Sequence, residues 1–203
     1  MLFKIAYAIL WPIFHLLFPY KIIGKEKLNV HSSGFVVCSN HISFLDPVYL
    51  AYTFKRKRRL FFMAKQEIFK NRLFTWFIKG VGGFPVNRDG GTSGIKAAEA
   101  LLKEGKNLCI FPEGTRSKDG KIGKGKAGAA MLVREFDSYV LPITLACKNQ
   151  KVRAFRKVTI IIGDAIQMPP CSAEMSQREH LRVCTAAIMT PIQEGLSQYE
   201  QQA

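Results

Sequence analysis

The sequence predicts an α/β domain, a mostly parallel or mixed central sheet flanked by helices, preceded by an N-terminal membrane-associating helix. Three observations predict it. Short apolar runs of strand length alternate with stretches of helical spacing along the 203 residues. Gly, Pro and Asp punctuate the junctions between them. Ahead of all this, Ile5 to Tyr20 is an almost uninterrupted apolar run between Lys4 and Lys21, broken by Pro12 and His15.

The N-terminal run is short for a bilayer. Its 16 residues would span about 24 Å as a helix, against a hydrocarbon core of about 30 Å. It leads into Pro19-Tyr20-Lys21 rather than a small-residue cleavage site, so a removable leader is disfavoured. Tyr7, Trp11 and Tyr20 suit a water–lipid interface. Residues 1–28 are therefore expected to form a membrane-associating helical segment and residues 29–203 the main domain, a buried core helix being the other reading.

The strands follow in order. Gly34 to Ser39, Leu60 to Ala64, Asn107 to Pro112 and Tyr139 to Ala146 are short apolar runs. Val158 to Ile162 clusters β-branched residues and is the clearest strand. Helical spacing covers Pro47 to Phe54, Gln66 to Lys79, Thr92 to Lys103 and Lys126 to Phe136. Ser172 to Gln198 predicts one or two helices, with Pro191 as the break. Asp46-Pro47 predicts a helix opening, with Asp46 as N-cap.

Thirty Lys and Arg against 15 Asp and Glu give a formal charge of +15. That surface attracts polyanions: nucleic acid, anionic lipid or an acidic protein. No helix-turn-helix, zinc-finger or RNP-type pattern accompanies it, so no nucleic-acid partner is expected. The five cysteines include no CxxC pair, and Cys38, Cys109 and Cys147 lie in apolar runs. They predict free core thiols and a reducing compartment.

Four segments carry chemistry. In Asn40-His41-x4-Asp46 a histidine can take a proton from a hydroxyl while a carboxylate on its other ring nitrogen fixes the tautomer. Five residues apart on one helix, the two side chains would diverge by about 140°, so the pair must bridge a turn. The same residues also suit a capping Asp and a loop His. Phe111 to Ser117 (FPEGTRS) crowds Glu113, Gly114, Thr115 and Arg116 into one loop, suited either to gripping phosphate or to a surface turn. Gly83 to Arg88 places one arginine after an apolar stretch, by itself an ordinary solvated arginine. Lys124 to Ala130 puts Lys126 where a loop enters a helix, a place for phosphate or for a plain turn; it lacks the residue order of a nucleotide P-loop.

Together the four segments resemble the glycerolipid acyltransferase family, especially its lysophosphatidic acid acyltransferases. The family's NHx4D motif matches Asn40, His41 and Asp46; its Gly-aromatic-x3-Arg motif matches Gly83, Phe84 and Arg88. FPEGTRS matches Phe111 to Ser117 without a change, and the apolar-Pro-apolar motif matches Leu141-Pro142-Ile143. The resemblance spans about half of the chain, from Asn40 to Thr144. Pro85 departs from it, standing where a β-branched residue is usual.

The resemblance implies a glycerol-3-phosphate acyltransferase-like fold and transfer of a fatty acyl group from a thioester to the sn-2 hydroxyl of 1-acyl-glycerol 3-phosphate. Glycerol 3-phosphate or another lysophospholipid is the alternative acceptor, and a basic nucleic-acid-binding protein is the less favoured alternative function. His41 would be the general base and Asp46 its support. Arg88 and Arg116 would hold the acceptor phosphate, Glu113 would lie near the glycerol, Gly114 and Thr115 would shape the loop, and Lys126 is a further phosphate ligand. No metal or other cofactor is implied; acyl-CoA or acyl carrier protein is the co-substrate. The expected partners are membrane lipids, and the expected place is the cytoplasmic face of the cell membrane.

Two surface features are expected to dock the chain there: the N-terminal run, and Lys55 to Arg59 (KRKRR) followed by Phe61, Phe62 and Met63. Phe69, Leu73, Trp76 and Phe77 form an aromatic stripe at helical spacing beside Lys65, Lys70, Arg72 and Lys79. Core packing is the first reading of that stripe and a lipid interface the second.

Overall fold

The computed structural model describes residues 11–29, 34–54, 58–86, 93–172 and 174–202. Arg88, residues 55–57 and the start of the N-terminal run lie outside the described residues.

The elements run α1 (residues 11–17), β1 (Tyr20–Ile23), β2 (Val36–Ser39), α2 (Asp46–Phe54), β3 (Leu60–Lys65), α3 (Arg72–Gly80), β4 (Gly83–Val86), α4 (Ser93–Lys103), β5 (Asn107–Ile110), α5 (Ala127–Glu135), β6 (Val140–Ala146), β7 (Val158–Ile162) and α6 (Gln177–Gln202). Seven strands form one sheet in the order β1-β7-β6-β2-β5-β3-β4. The stretch from β6 to β4 is parallel. Strand β7 runs antiparallel to β6, and β1 parallel to β7. The mixed α/β sheet expected from the sequence is therefore present.

Alternation along β2 shows how the sheet is covered. Val37 packs with Tyr49, Leu50 and Phe54 of α2 on one face. Val36 and Cys38 pack with Ala98 of α4, Leu132 of α5 and Ile188 of α6 on the other. Both faces are apolar, as parallel sheets require. Burial pushes the Cys38 thiol up to about 12 and Cys147 to about 11, so these thiols stay protonated core groups.

Several sequence expectations are revised. The N-terminal run does not stay helical: after Pro19, Tyr20–Ile23 pairs with Val158–Ile161 as an edge strand. The run predicted from Gln66 to Lys79 splits into a 3-10 turn, Gln66–Lys70, and α3. The break falls at Asn71, whose side-chain oxygen accepts from the backbone N–H groups of Leu73 and Phe74 and so starts a new helix. The aromatic stripe is not core: α3 has no buried residue, and Leu73, Phe74 and Trp76 are exposed.

Pro191 breaks nothing, because α6 continues through it. Its neighbours Met189 and Ile192 are buried, and the Thr144 hydroxyl donates to the Ile192 carbonyl at 2.8 Å. That docking outweighs the cost of about 3 kcal/mol for an interior proline. Among the described residues no helix is long and apolar enough to cross a membrane.

The second expected docking feature is also displaced. Phe61, Phe62 and Met63 are residues of β3, with Phe62 buried. Arg58 donates to the Leu28 carbonyl and Arg59 to the Lys79 carbonyl. Both arginines precede β3, so they lie at the opposite end of the sheet from the loops that follow the parallel strands.

Candidate active site

The carboxyl ends of the parallel strands are where open α/β sheets place ligands. Here β2 ends at Ser39 and delivers Asn40 and His41; β5 ends at Ile110 and delivers Phe111 to Ser117. The two strands are neighbours, so two sequence segments about 70 residues apart become adjacent loops.

Asn40 anchors the first loop. Its buried side chain donates to the Leu145 carbonyl at 2.9 Å and accepts from the Leu145 N–H at 2.8 Å. This is a strand-like pairing supplied by a side chain, tying the end of β2 to β6. The chain then turns and comes back to Asp46.

His41 Nδ1 meets Asp46 Oδ2 at 2.7 Å, so the pair does bridge a turn. The same oxygen accepts from the N–H groups of Ile42 and Ser43, each at 2.7 Å. Asp46 is therefore not the N-cap expected from the sequence. The first N–H groups of α2, those of Val48 and Tyr49, donate to the Leu45 carbonyl instead. The carboxylate faces backward into its own loop, fixing the path between histidine and helix. Asp46 is fully buried, with Oδ1 lacking a partner among the described residues. Burial pushes its carboxyl up, opposed by the His41 contact and the two amides.

The second loop clamps the histidine backbone on both sides. Glu113 Oε1 accepts from the His41 N–H at 2.8 Å, and the Ser117 N–H donates to the His41 carbonyl at 2.8 Å. Glu113 Oε2 accepts from the Gly123 N–H at 2.8 Å. The side chain of Glu113 is thus a buried strut between three loop segments. Phe111 stacks on the imidazole, ring centroids 4.0 Å apart and 15° from parallel. With Nδ1 committed to Asp46, Nε2 has no hydrogen-bond partner among the described residues.

The cations form an outer rim. Gly114 has φ +73°, and a Cβ there would come within 2.9 Å of Lys126 Nζ. The left-handed backbone at Gly114 favours glycine there. Lys126 stands at the N-cap position of α5, its N–H donating to the Pro112 carbonyl at 2.8 Å. Thr115, Arg116 and Lys126 are exposed. The Arg116 guanidinium lies 3.4 Å from the centroid of the Phe44 ring. Phe44, a residue of the first loop, is thereby a platform for the arginine of the second. Among the described residues, no group of three or more His, Cys, Asp and Glu could hold a metal ion.

The structure brings His41, Asp46, Glu113, Gly114, Thr115, Arg116 and Lys126 to one end of the sheet; Arg88 lies outside the described residues. Three contributors have no role assigned from the sequence: the Asn40 anchor, the Phe111 stack and the Phe44 platform. Phe44 and Phe111 carry a signal in retrospect, since each is an aromatic within a polar, glycine- or serine-containing loop.

The family model described as Acyltransferase matches residues 20–146. The 1-acyl-sn-glycerol-3-phosphate acyltransferase of Bacillus subtilis is 32% identical over 178 residues, covering 86% of each chain. The protein of the same name from Streptococcus pneumoniae is 33% identical over 123 residues, 60% of this chain but 45% of its own length. In fold, the chain is similar to the crystal structure of the 1-acyl-sn-glycerophosphate acyltransferase PlsC of Thermotoga maritima. That likeness has a TM-score of 0.67 and 24% identity, covering 95% of this chain and 76% of that one. On the extent of these matches, the chain belongs to the Acyltransferase family.

Proposed function

We propose that the chain transfers a fatty acyl group from an acyl thioester to the sn-2 hydroxyl of 1-acyl-glycerol 3-phosphate, giving phosphatidic acid. The observation that carries the chemistry is the His41–Asp46 contact, which holds Nδ1 and leaves Nε2 for substrate. The names of the relatives support the acceptor.

In this reading Nε2 takes the proton of the sn-2 hydroxyl as its oxygen attacks the thioester carbonyl. Asp46 keeps the proton on Nδ1 and stabilises the imidazolium that forms. Collapse of the tetrahedral oxyanion restores the carbonyl and expels the thiolate, which takes the proton back from Nε2. The hydroxyl attacks directly, so no acyl-enzyme forms. Arg116, Lys126 and Arg88 hold the acceptor phosphate, with Gly114 and Thr115 shaping the loop. Glu113 acts by holding the His41 backbone as much as by approaching the glycerol. The donor is acyl-CoA or acyl carrier protein. The segment ahead of β1 associates with the cytoplasmic face of the membrane, and the acyltransferase domain takes in β1, since Tyr20–Ile23 is an edge strand of its sheet.

The test is one assay with labelled lysophosphatidic acid and both thioester classes. Phosphatidic acid is the expected product, and His41→Ala should lower turnover by about 10²–10⁴ or more while membrane binding survives. Unchanged turnover in His41→Ala would sink the mechanism. Acylation of glycerol 3-phosphate in preference to the lysolipid would replace the acceptor.

A further inference from the structure

The loop between β6 and β7 has no role in the reading above, yet it lies at the same end of the sheet as His41. Strand β6 is parallel to β2, so its carboxyl end and the loop after Cys147 share the site's end. That loop encloses a concavity of about 330 Å³ lined by Lys148, Asn149, Lys151, Arg153 and Arg156. Among the described residues that line it, none is a carboxylate. The loop abuts the segment that follows FPEGTRS: a Cβ on Gly120 would come within 2.7 Å of the Gln150 side chain.

The same loop carries a conformational oddity. Phe155 has φ +61°, a left-handed backbone that a bulky side chain rarely adopts, and the residue is 72% exposed. Both features are unfavourable in water, and strain of this kind persists where surrounding structure fixes it. Here the fixing contact is the Phe155 N–H donating to the Leu17 carbonyl at 2.6 Å. Leu17 ends α1, whose Trp11, Ile13 and Leu16 are exposed, Leu16 by 71%. An exposed aromatic flanked by four cations is thus pinned to the end of an exposed apolar helix.

We propose that the 148–157 loop is an anionic-phospholipid docking element, its basic hollow taking a headgroup phosphate while Phe155 enters the apolar layer beside α1. The cations match an anionic leaflet, and the aromatic suits the interface. This role falls to a basic cluster at the site's end of the sheet. Arg58 and Arg59, at the opposite end, are occupied with backbone carbonyls. The proposal rests on the membrane-surface reading above and adds where the surface is met.

The test is sedimentation of the full chain with two vesicle types, phosphatidylcholine alone and phosphatidylcholine with phosphatidylglycerol. Each basic residue near an anionic surface contributes about fivefold in partition. Lys151→Gln combined with Arg153→Gln should therefore weaken binding to the anionic vesicles about thirtyfold, leave binding to neutral ones alone, and leave turnover of detergent-dispersed acceptor unchanged. Phe155→Gly should weaken binding to both types about tenfold while holding or raising Tm, since glycine relieves the backbone. A merely structural phenylalanine would instead lower Tm. Wild-type chain that binds neither vesicle overturns the membrane reading itself. Wild-type binding that the double variant retains in full overturns this proposal alone. A raised KM for acyl-CoA in the double variant, with vesicle binding unchanged, would assign the hollow to the donor's phosphates and also overturn it.

Discussion

The two loops that build the site are held very differently. The loop from Asn40 to Asp46 is anchored by side chains and backbone on several sides: Asn40 to β6, Asp46 to three donors, His41 to Glu113 and Ser117. The cationic rim has sparser support. Arg116 and Lys126 are exposed, and among the described residues what positions the guanidinium is one aromatic ring. Proton transfer needs a base fixed to within a fraction of an ångström. Phosphate capture needs charge near a mobile headgroup, which exposed side chains supply. Mutations should divide accordingly: changes in the anchored loop should act on kcat and stability, changes in the rim on the KM of the acceptor.

The largest expected effect is at the centre of the anchored loop. Asp46→Asn should lower kcat by about 10²–10⁴, because the amide oxygen can still accept from His41, Ile42 and Ser43 but carries no charge to stabilise the imidazolium. Its effect on stability should have the opposite sign. Burial raises the folded-state pKa of Asp46 above its unfolded value. Ionised Asp46 therefore costs stability at pH values above the folded pKa, and that cost fades as pH falls toward the ordinary carboxylate value near 4. Asp46→Asn should be more stable than wild type near neutral pH, with the margin in Tm shrinking on acidification. A margin that grows on acidification would mean that the ion pair outweighs burial.

Glu113→Gln is the next largest and probes the join between the two regions. Each carboxylate oxygen accepts a backbone N–H. The glutamine nitrogen must face one of them, donor against donor, at a cost of about 1–3 kcal/mol in urea unfolding. If the strut matters chiefly through His41, kcat falls while the acceptor KM moves little. A KM effect with unaltered stability would instead put Glu113 on the glycerol.

The anchored loop was partly legible in the sequence and the rim less so, for physical reasons. A histidine and a carboxylate that cannot share a helix face must meet across a turn, and they do. The direction of Asp46 was not legible, because Asp before Pro fits a helix cap equally well; the competition is settled by where the donors are, Ile42 and Ser43 rather than Val48 and Tyr49. Strand Val158–Ile162 was legible to the residue because its β-branched run is self-contained. Strand Tyr20–Ile23 was hidden inside a longer apolar run and exists by pairing with β7, a partner more than 130 residues away. Tertiary pairing of that kind leaves no local periodicity to read.

Arg116→Ala is expected to be smaller in kcat and visible in KM. Losing a charge-assisted contact to phosphate should raise the acceptor KM about tenfold or more, with kcat largely kept and Tm unchanged, since the side chain is exposed. A kcat loss equal to the loss in kcat/KM would place Arg116 among the groups that act only in the transition state, and the division between the two loops would fail.

Phe44→Ala should have the smallest effect and is the finest probe of that division. The ring belongs to the anchored loop by sequence and to the rim by contact, lying under the Arg116 guanidinium. An exposed cation–π contact is worth about 0.5–1 kcal/mol, so the acceptor KM should rise about twofold to fivefold. If the ring acts only by holding the arginine, its loss should cost nothing further once Arg116 is already alanine. The double variant should then match Arg116→Ala alone, the strongly non-additive outcome expected of residues in contact. Additive penalties would mean that Phe44 touches the lipid itself, which would assign one residue of the anchored loop a binding role independent of the rim.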